Sequence, residues 1–503
     1  MKSIIFKINI LIFLTVISIT LTGQNAKSFK RGLAYSIPYA EDLPTLSKGI
    51  SWFYSWGSTP GMFVANVFDP YMEFIPMCWS GVDTVKLKTF YSTHPNIKYI
   101  LGFNEPNFKQ QANLTPTQAA AKWWMIERVA KLYNLKIVGP ALNWASSSGA
   151  VSENGVTYTN PITYLDDFFK VCPTCKVDYI AVHNYMNSEG AVEGDIAKYK
   201  KYNKPIWLTE FCEYDGSQTL TPDTQKDYMV ELLNYMENDT CIYRYSWFTG
   251  RNGNGAAAFP YNSILTDLMT DADRGKATEL GDIYLHMMQN DKSYYYNATD
   301  TIQAEKFSNS HSASLRRLDA TTGNLYLNNF YFKDWVIYHV NLPETKEYTI
   351  TFKMASIPET TIQVLDSLDN ILSSQDILTT GGLTSWGYRT LKVTLPAGKQ
   401  NLKLRSLGYG CNIDWFTFAN VDTAIRDVES SQVFNLYPNP MGDVLYIDSQ
   451  EDTKEIKIFD TLGKVVFQGN NEKQVNTKSY AKGIYVVQLT FNNGKRQSGK
   501  IMK

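Results

Sequence analysis

Two glutamates end runs of the sequence that are otherwise apolar. One is Glu105, in Leu101-Gly102-Phe103-Asn104-Glu105-Pro106-Asn107; the other is Glu210, in Ile206-Trp207-Leu208-Thr209-Glu210-Phe211. A carboxyl in such a place must be paired, hydrated or at work, because burying a lone charge is costly. Two carboxyls facing each other across a gap are the apparatus of glycosidic cleavage. One gives a proton to the leaving oxygen, and the other acts on the opposite face of the sugar. In the retaining form the second carboxylate attacks directly, which needs a gap of ~5–5.5 Å, against ~6.5–9.5 Å where a water must fit. A negative charge on one carboxyl favours a proton on its neighbour. If Glu210 is the one that stays ionised, it is the nucleophile, and Glu105 is the acid that turns base once the charge on Glu210 is consumed.

Other side chains fall near the same strand ends. His183 and Tyr185 share one side of a strand by the two-residue period. Tyr185 is expected to donate to Glu210, and His183 reads either as a subsite contact or as a satisfied structural histidine. Trp247 is expected as a platform for a sugar ring, with Trp79 and Trp144 as cleft walls. Trp207 is out of phase with Glu210 and is read as packing against a helix. No His/Asp/Glu cluster has the spacing of a catalytic metal site, so no cofactor is expected for the chemistry.

The elements that must hold these residues alternate. Strand-like runs at Gly32–Ile37, Ser51–Trp56, Phe74–Trp79, Tyr99–Glu105, Lys136–Asn143, Asp178–Tyr185, Pro205–Phe211 and Ile242–Phe248 are separated by helical stretches such as Thr117–Leu132 and Thr224–Met236. Such alternation predicts a (β/α)8 TIM barrel over residues 28–292, whose chemistry sits at the C-terminal strand ends. A doubly wound sheet is the competitor, but no Gly-rich phosphate loop follows any strand.

Composition narrows the partners. A net charge of -1 on 503 residues provides no footprint for nucleic acid or an anionic membrane. The 14% aromatic content suits neutral sugars as well as large cores. Lys2 and Lys7, the apolar run Ile8–Leu21 and the small residues around Gly23 read as a signal peptide over residues 1–24. No later stretch is long enough to span a membrane. A secreted or cell-surface monomer is expected. Of six cysteines, Cys172 and Cys175 are read as a short structural disulfide; Cys212 and Cys241 are candidates for a second, and Cys78 and Cys411 are read as buried thiols.

The Asn-Glu-Pro and Thr-Glu-Phe strand ends resemble the clan A retaining glycosidases. With Pro116, Ala119–Trp123, Cys172-Pro-Thr-Cys175, Val177–His183 and Tyr243–Phe248 added, residues 28–255 resemble glycoside hydrolase family 128, the endo-β-1,3-glucanases with an Asl1-like domain. The resemblance implies retention, acid/base duty for Glu105 and nucleophile duty for Glu210. It also implies that Asn104 contacts the sugar 2-hydroxyl, and that the substrate is a β-glucan. A different β-glycan, or a non-catalytic surface glycan-binding role, are the competing readings.

Downstream, alternating strands over residues 296–420 predict a β-sandwich of jelly-roll type. The markers Ile302–Glu305, Asp334–Tyr338, Gly381–Tyr388 and Asn412–Phe416 resemble a family 6 carbohydrate-binding module. That resemblance implies a sugar site at Trp386, Tyr326 and Asn412, and a structural calcium held partly by Glu305 and Asp414. Residues 430–503, with Leu436-Tyr437-Pro438-Asn439-Pro440, Ile456–Val466 and the basic end Lys495 to Lys503, resemble the C-terminal sorting domain of type IX secretion. A small C-terminal β-sandwich, read by the secretion machinery of a Bacteroidetes-like bacterium and exported through the periplasm, is what this implies.

Overall fold

The computed structural model describes residues 26–214, 219–252, 259–267, 270–418, 434–449, 452–460, 464–492 and 496–503. The expected signal peptide lies outside the described residues. Short apolar runs become eight parallel strands: β1 (Arg31–Ala34), β2 (Trp52–Tyr54), β3 (Glu73–Phe74), β4 (Tyr99–Leu101), β5 (Lys136–Leu142), β6 (Tyr179–Asn184), β7 (Ile206–Phe211) and β8 (Ile242–Trp247). They pair in the order β3-β2-β1-β8-β7-β6-β5-β4. A parallel bridge between Met77 and Leu101 joins the two ends. It is supported by Leu101 N donating to Pro76 O at 2.9 Å and Cys78 N donating to Leu101 O at 3.0 Å. The sheet closes, and the fold is the (β/α)8 barrel.

Helices α1 (Asp42–Leu46), α2 (Thr84–Thr93), α3 (Pro116–Tyr133), α4 (Pro161–Val171), α5 (Glu189–Tyr199), α6 (Pro222–Asn238) and α7 (Glu279–His286) surround it. Local sequence sets where the longer ones start. Thr115 and Thr221 each form a capping box, with Gln118 and Thr224, ahead of a proline in the first turn. The side chain satisfies an otherwise orphaned N–H while proline's fixed φ suits the first turn.

Two register shifts matter for the site. One lies between the pairs Val182–Leu208 and His183–Glu210, on β6 and β7. The other lies between Tyr245–Leu208 and Trp247–Phe211, on β8 and β7. An extra residue reverses which side chains face inward beyond it. Both Trp207 and Glu210 therefore point into the barrel, although an odd number of positions separates them. Trp207 is fully buried, with its ring 4.9 Å from Trp52, 5.1 Å from Tyr99 and 5.8 Å from Tyr179. It plugs the barrel below the carboxylates, and the expectation of packing against a helix is corrected. Arg244 lies over the same rings and pairs with Glu73 at 2.7 Å.

A sandwich follows in the same compact unit, which runs to Val421. One sheet orders Ser314–Asp319, Asn324–Phe330, Cys411–Thr417, Lys346–Ser356 and Gly382–Leu395; the other is centred on Trp335–Leu342, Gly398–Ser406 and Thr360–Leu365. Barrel and sandwich, expected as successive domains, share one hydrophobic core. Polar contacts sew the seam. Asn234 of α6 exchanges two 3.0 Å hydrogen bonds with the Ser310 backbone. Arg316 meets Asp227 at 2.8 Å, and Arg317 meets Asp282 of α7 at 3.0 Å.

The second unit, to Lys503, has its own core of Leu445, Ile456, Ile458, Val487 and Leu489. Its sheets comprise Phe434–Tyr437, Val444–Ser449 and Gln474–Asn476, and Val465–Gly469, Thr453–Phe459, Ile484–Phe491 and Arg496–Met502.

Candidate active site

Glu105 lies just past the C-terminal end of β4. Its N–H donates to Ala141 O of β5 at 2.8 Å, while Asn104 N donates to Trp79 O at 2.8 Å. Pinned from both sides, Glu105 holds a left-handed φ of 39°. Such a backbone costs a non-glycine residue roughly 1–3 kcal/mol and persists only where its surroundings enforce it. The effect is to aim the carboxylate across the barrel mouth.

Glu210 answers from β7. Oxygens of the two carboxylates and a ring nitrogen of His183 all lie within 4.8 Å of one another. Glu210 Oε1 accepts from Tyr54 Oη at 2.9 Å and Trp56 Nε1 at 2.8 Å. Its Oε2 accepts from the Tyr185 hydroxyl and lies 3.3 Å from His183 Nδ1. Glu105 Oε1 accepts from Asn143 Nδ2 at 3.2 Å and lies 3.0 Å from His183 Nδ1. Three donors converge on Glu210 against one, Asn143, on Glu105 besides the shared His183, so negative charge is the better supported on Glu210.

His183 is fully buried beneath the pair. Burial pulls its pKa down, but the Glu210 charge and the hydrogen bond and charge of Glu105 outweigh this and raise it above the usual value. It does not line the cleft, so its expected role as a sugar contact is corrected: it bridges two carboxylates from below. Burial and the Glu210 charge raise the pKa of Tyr54 and Tyr185 well above the ordinary phenol range. Both stay protonated donors.

Above the carboxylates opens a cleft of about 920 Å3 lined by Trp56, Trp79, Asn104, Asn143, Trp144, Tyr185, Phe248 and Phe259 among others. Asn104 is buried, with an Oδ1 that has no partner and an Nδ2 donating to Gln111 at 3.3 Å. Trp144 is 39% exposed and ties its Nε1 to Asp195 at 3.0 Å. Trp247 does not reach the cleft. It is fully buried, donates to Asn262 O at 2.8 Å and packs against Phe211 and Tyr284 of α7. Ordinary alternation along the chain sends Trp247 outward and its neighbour Phe248 into the cleft, where Phe248 takes the place expected for Trp247.

Tyr54, Trp56 and Asn143 were not singled out from the sequence. Tyr54 and Trp56 share a side by the same two-residue period that links His183 and Tyr185, so that signal was present. Cys172 and Cys175 form a disulfide. Cys212 and Cys241 are free thiols, which corrects the second candidate. Cys212 follows the end of β7 and Cys241 precedes the start of β8. Parallel strands put these at opposite barrel ends, about 20 Å apart at about 3.3 Å per residue.

In the sandwich, Tyr326 and Trp386 meet edge to face at 5.4 Å. Asn412 does not join them as a sugar contact. It is 4% exposed, accepts from Asn329 N and donates to Leu383 O, both at 2.8 Å. Glu305 suits a cation, being buried with an unpartnered Oε2, and burial pushes its pKa up to about 7. Asp414 fits one less well, because Lys353 already pairs with it at 2.7 Å. A calcium ion takes six to eight oxygens, and this pair leaves it one free carboxylate.

A barrel with two opposed strand-end glutamates under a sugar-sized cleft defines a glycoside hydrolase. The chain belongs to the glycosyl hydrolase catalytic core family, whose model matches residues 32–284. Residues 303–420 match the family 6 carbohydrate-binding module, and residues 435–503 the secretion system C-terminal sorting domain. A curated relative, alkali-sensitive linkage protein 1 of Schizosaccharomyces pombe, is 28% identical over 266 residues, 51% of this chain. The match spans 44% of that relative, under half its length. Among solved structures, an endo-β-1,3-glucanase of Pseudomonas viridiflava is 34% identical, covering 52% of this chain and 98% of that one, with a TM-score of 0.45. Another from Sorangium cellulosum is 33% identical, covering 51% and 97%, with a TM-score of 0.43. No helix among the described residues is long and apolar enough to cross a membrane.

Proposed function

We propose that this chain is a secreted, retaining endo-β-1,3-glucanase of glycoside hydrolase family 128. The observation that carries the mechanism is the approach of the two carboxylates within 4.8 Å, which suits direct attack and is too close for an interposed water. Glu210 attacks the anomeric carbon while Glu105 protonates the departing oxygen. The glycosyl–Glu210 ester forms, the bond to the leaving chain breaks, and Glu105 is left as a carboxylate. That carboxylate takes a proton from water, which displaces Glu210 and regenerates both groups. Tyr54, Trp56 and Tyr185 hold the nucleophile in line. Asn104, with its free Oδ1, is the candidate contact for the sugar 2-hydroxyl. Trp79 and Trp144 are the candidate cleft walls.

β-1,3-Glucan as substrate is supported by the motif resemblance to family 128 over residues 28–255. Export is supported by the signal-like start and the sorting-domain match. The module is assigned to glucan binding through Trp386 and Tyr326, with Glu305 as its candidate calcium ligand. Digestion of a glycan panel, reading product size and anomer, tests the whole assignment. Expected are β-configured oligosaccharides from laminarin-type glucan, and none from Glu210→Ala. Hydrolysis by Glu210→Ala at the wild-type rate, or α-configured first products, would overturn the mechanism. Cleavage confined to another β-glycan would overturn the substrate alone. In the same series Trp386→Ala should lower retention on insoluble glucan without changing turnover of soluble oligosaccharide.

A further inference from the structure

A second cavity of about 400 Å3 opens beside the catalytic cleft, and Phe259 lines both. Its volume falls within the span of small-molecule sites, about 300–1,000 Å3. The Phe259 ring packs 5.0 Å from that of Tyr185, the residue that holds Glu210. Beyond Phe259 the wall continues through Pro260 to Tyr261, which is 53% exposed, with Asp267 alongside.

Apart from Asp267, the charges of the wall are paired. Lys226 and Glu279, which also line the cavity, pair with each other at 2.7 Å. Lys226 further meets Asp223 at 2.8 Å, and Asp223 meets Arg316 of the sandwich at 3.4 Å. Arg316 lies directly opposite Tyr326 in its hairpin, and Tyr326 touches Trp386. A chain of side-chain contacts thus links the wall of the cavity to the aromatic pair of the module. An exposed phenol face, an apolar wall and a single carboxylate unpaired among the described residues, Asp267, able to accept from hydroxyls, suit an uncharged, hydroxyl-rich chain rather than an anion.

We propose that this cavity is a distal glycan subsite, which receives a neutral β-glucan chain past Phe259 from the cleft and directs it toward Trp386. The inference rests on the β-glucan reading, and its test separates the two. Tyr261→Ala and Tyr261→Phe are compared with wild type on polymeric β-1,3-glucan and on a β-1,3-linked trisaccharide that fits the cleft alone. The alanine variant is expected to lose about tenfold in kcat/KM on polymer, ~1.4 kcal/mol, and nothing on the trisaccharide, whose turnover also reports the fold. The phenylalanine variant, which keeps the ring, is expected to retain the polymer rate. An unchanged polymer-to-trisaccharide ratio in Tyr261→Ala overturns the subsite. Calorimetric binding of the polymer to Glu210→Gln, with and without Tyr261→Ala, decides the subsite independently of hydrolysis. If wild type cleaves neither substrate, the β-glucan reading fails; equal affinity of the two Glu210→Gln proteins sinks the subsite.

Discussion

Replacing Glu105 by alanine and supplying azide distinguishes the two glutamates by chemistry. A general acid–base group contributes about 10²–10⁴-fold, so kcat on glucan should fall by that range in Glu105→Ala. The remaining Glu210 still forms its ester with a good leaving group, and the reaction stalls for want of a base. Azide needs no base and fits the space the side chain vacates. Its timing follows from the geometry. Glu105 and Glu210 oxygens lie within 4.8 Å, and two unit charges at that distance repel by about 3.5 kcal/mol at an effective dielectric of about 20. That equals a factor of roughly 400 in affinity, before any offset from His183. Azide should thus be excluded while Glu210 is charged and admitted once the ester has formed. The assay is release of an aryl leaving group against azide concentration, with the product anomer read by NMR. Turnover should recover with a β-glycosyl azide as product. An α-azide from Glu105→Ala, or no rescue at any azide concentration, would refute the assignment of roles.

Further outcomes follow from the same geometry. Tyr185→Phe removes one charge-assisted hydrogen bond to Glu210, worth ~1.5–3 kcal/mol, so kcat should drop roughly tenfold to a hundredfold with the melting temperature little changed. His183 has a raised pKa in the fold. Its stabilising contribution should be complete below about pH 6.5 and lost as pH rises through the folded value; denaturation curves of wild type and His183→Asn should therefore converge with rising pH. Trp247→Ala should cost about 3–5 kcal/mol of stability while leaving KM unchanged in the protein that remains folded. Thiol titration in denaturant without reductant should find four groups, Cys78, Cys212, Cys241 and Cys411, and six after reduction.

The barrel was legible because short apolar runs alternate with stretches of helical spacing along the chain. The opposed glutamates were legible because two carboxylates ending apolar runs on facing strands are hard to explain by packing alone. What escaped was phase. Strict two-residue alternation from Glu210 puts Trp207 outside, and one extra residue on β7 brings it in. A position at a strand end is all that points Trp247 at the cleft, and its alternation with Ser246 and Phe248 turns it outward. Nothing in the residue types announces such a bulge. Asn412 escaped for a different reason: an amide can bind sugar or clamp two loops, and only the positions of Asn329 and Leu383 decide. Tyr54 and Trp56 were readable by the rule applied to β6 and were passed over because β2 carries no carboxylate or histidine.

The seam between barrel and sandwich has a consequence for how polymer is processed. Tethered modules raise local concentration by sweeping a volume set by their linker. Here the exchange between Asn234 and Ser310, with Arg316 and Arg317 reaching onto α6 and α7, locks the module in place. On the proposed reading of Trp386 as a glucan contact, a gripped chain would meet the two glutamates at one constant offset, as on a ruler. Its cuts should fall at preferred intervals, and loosening the seam should blur them.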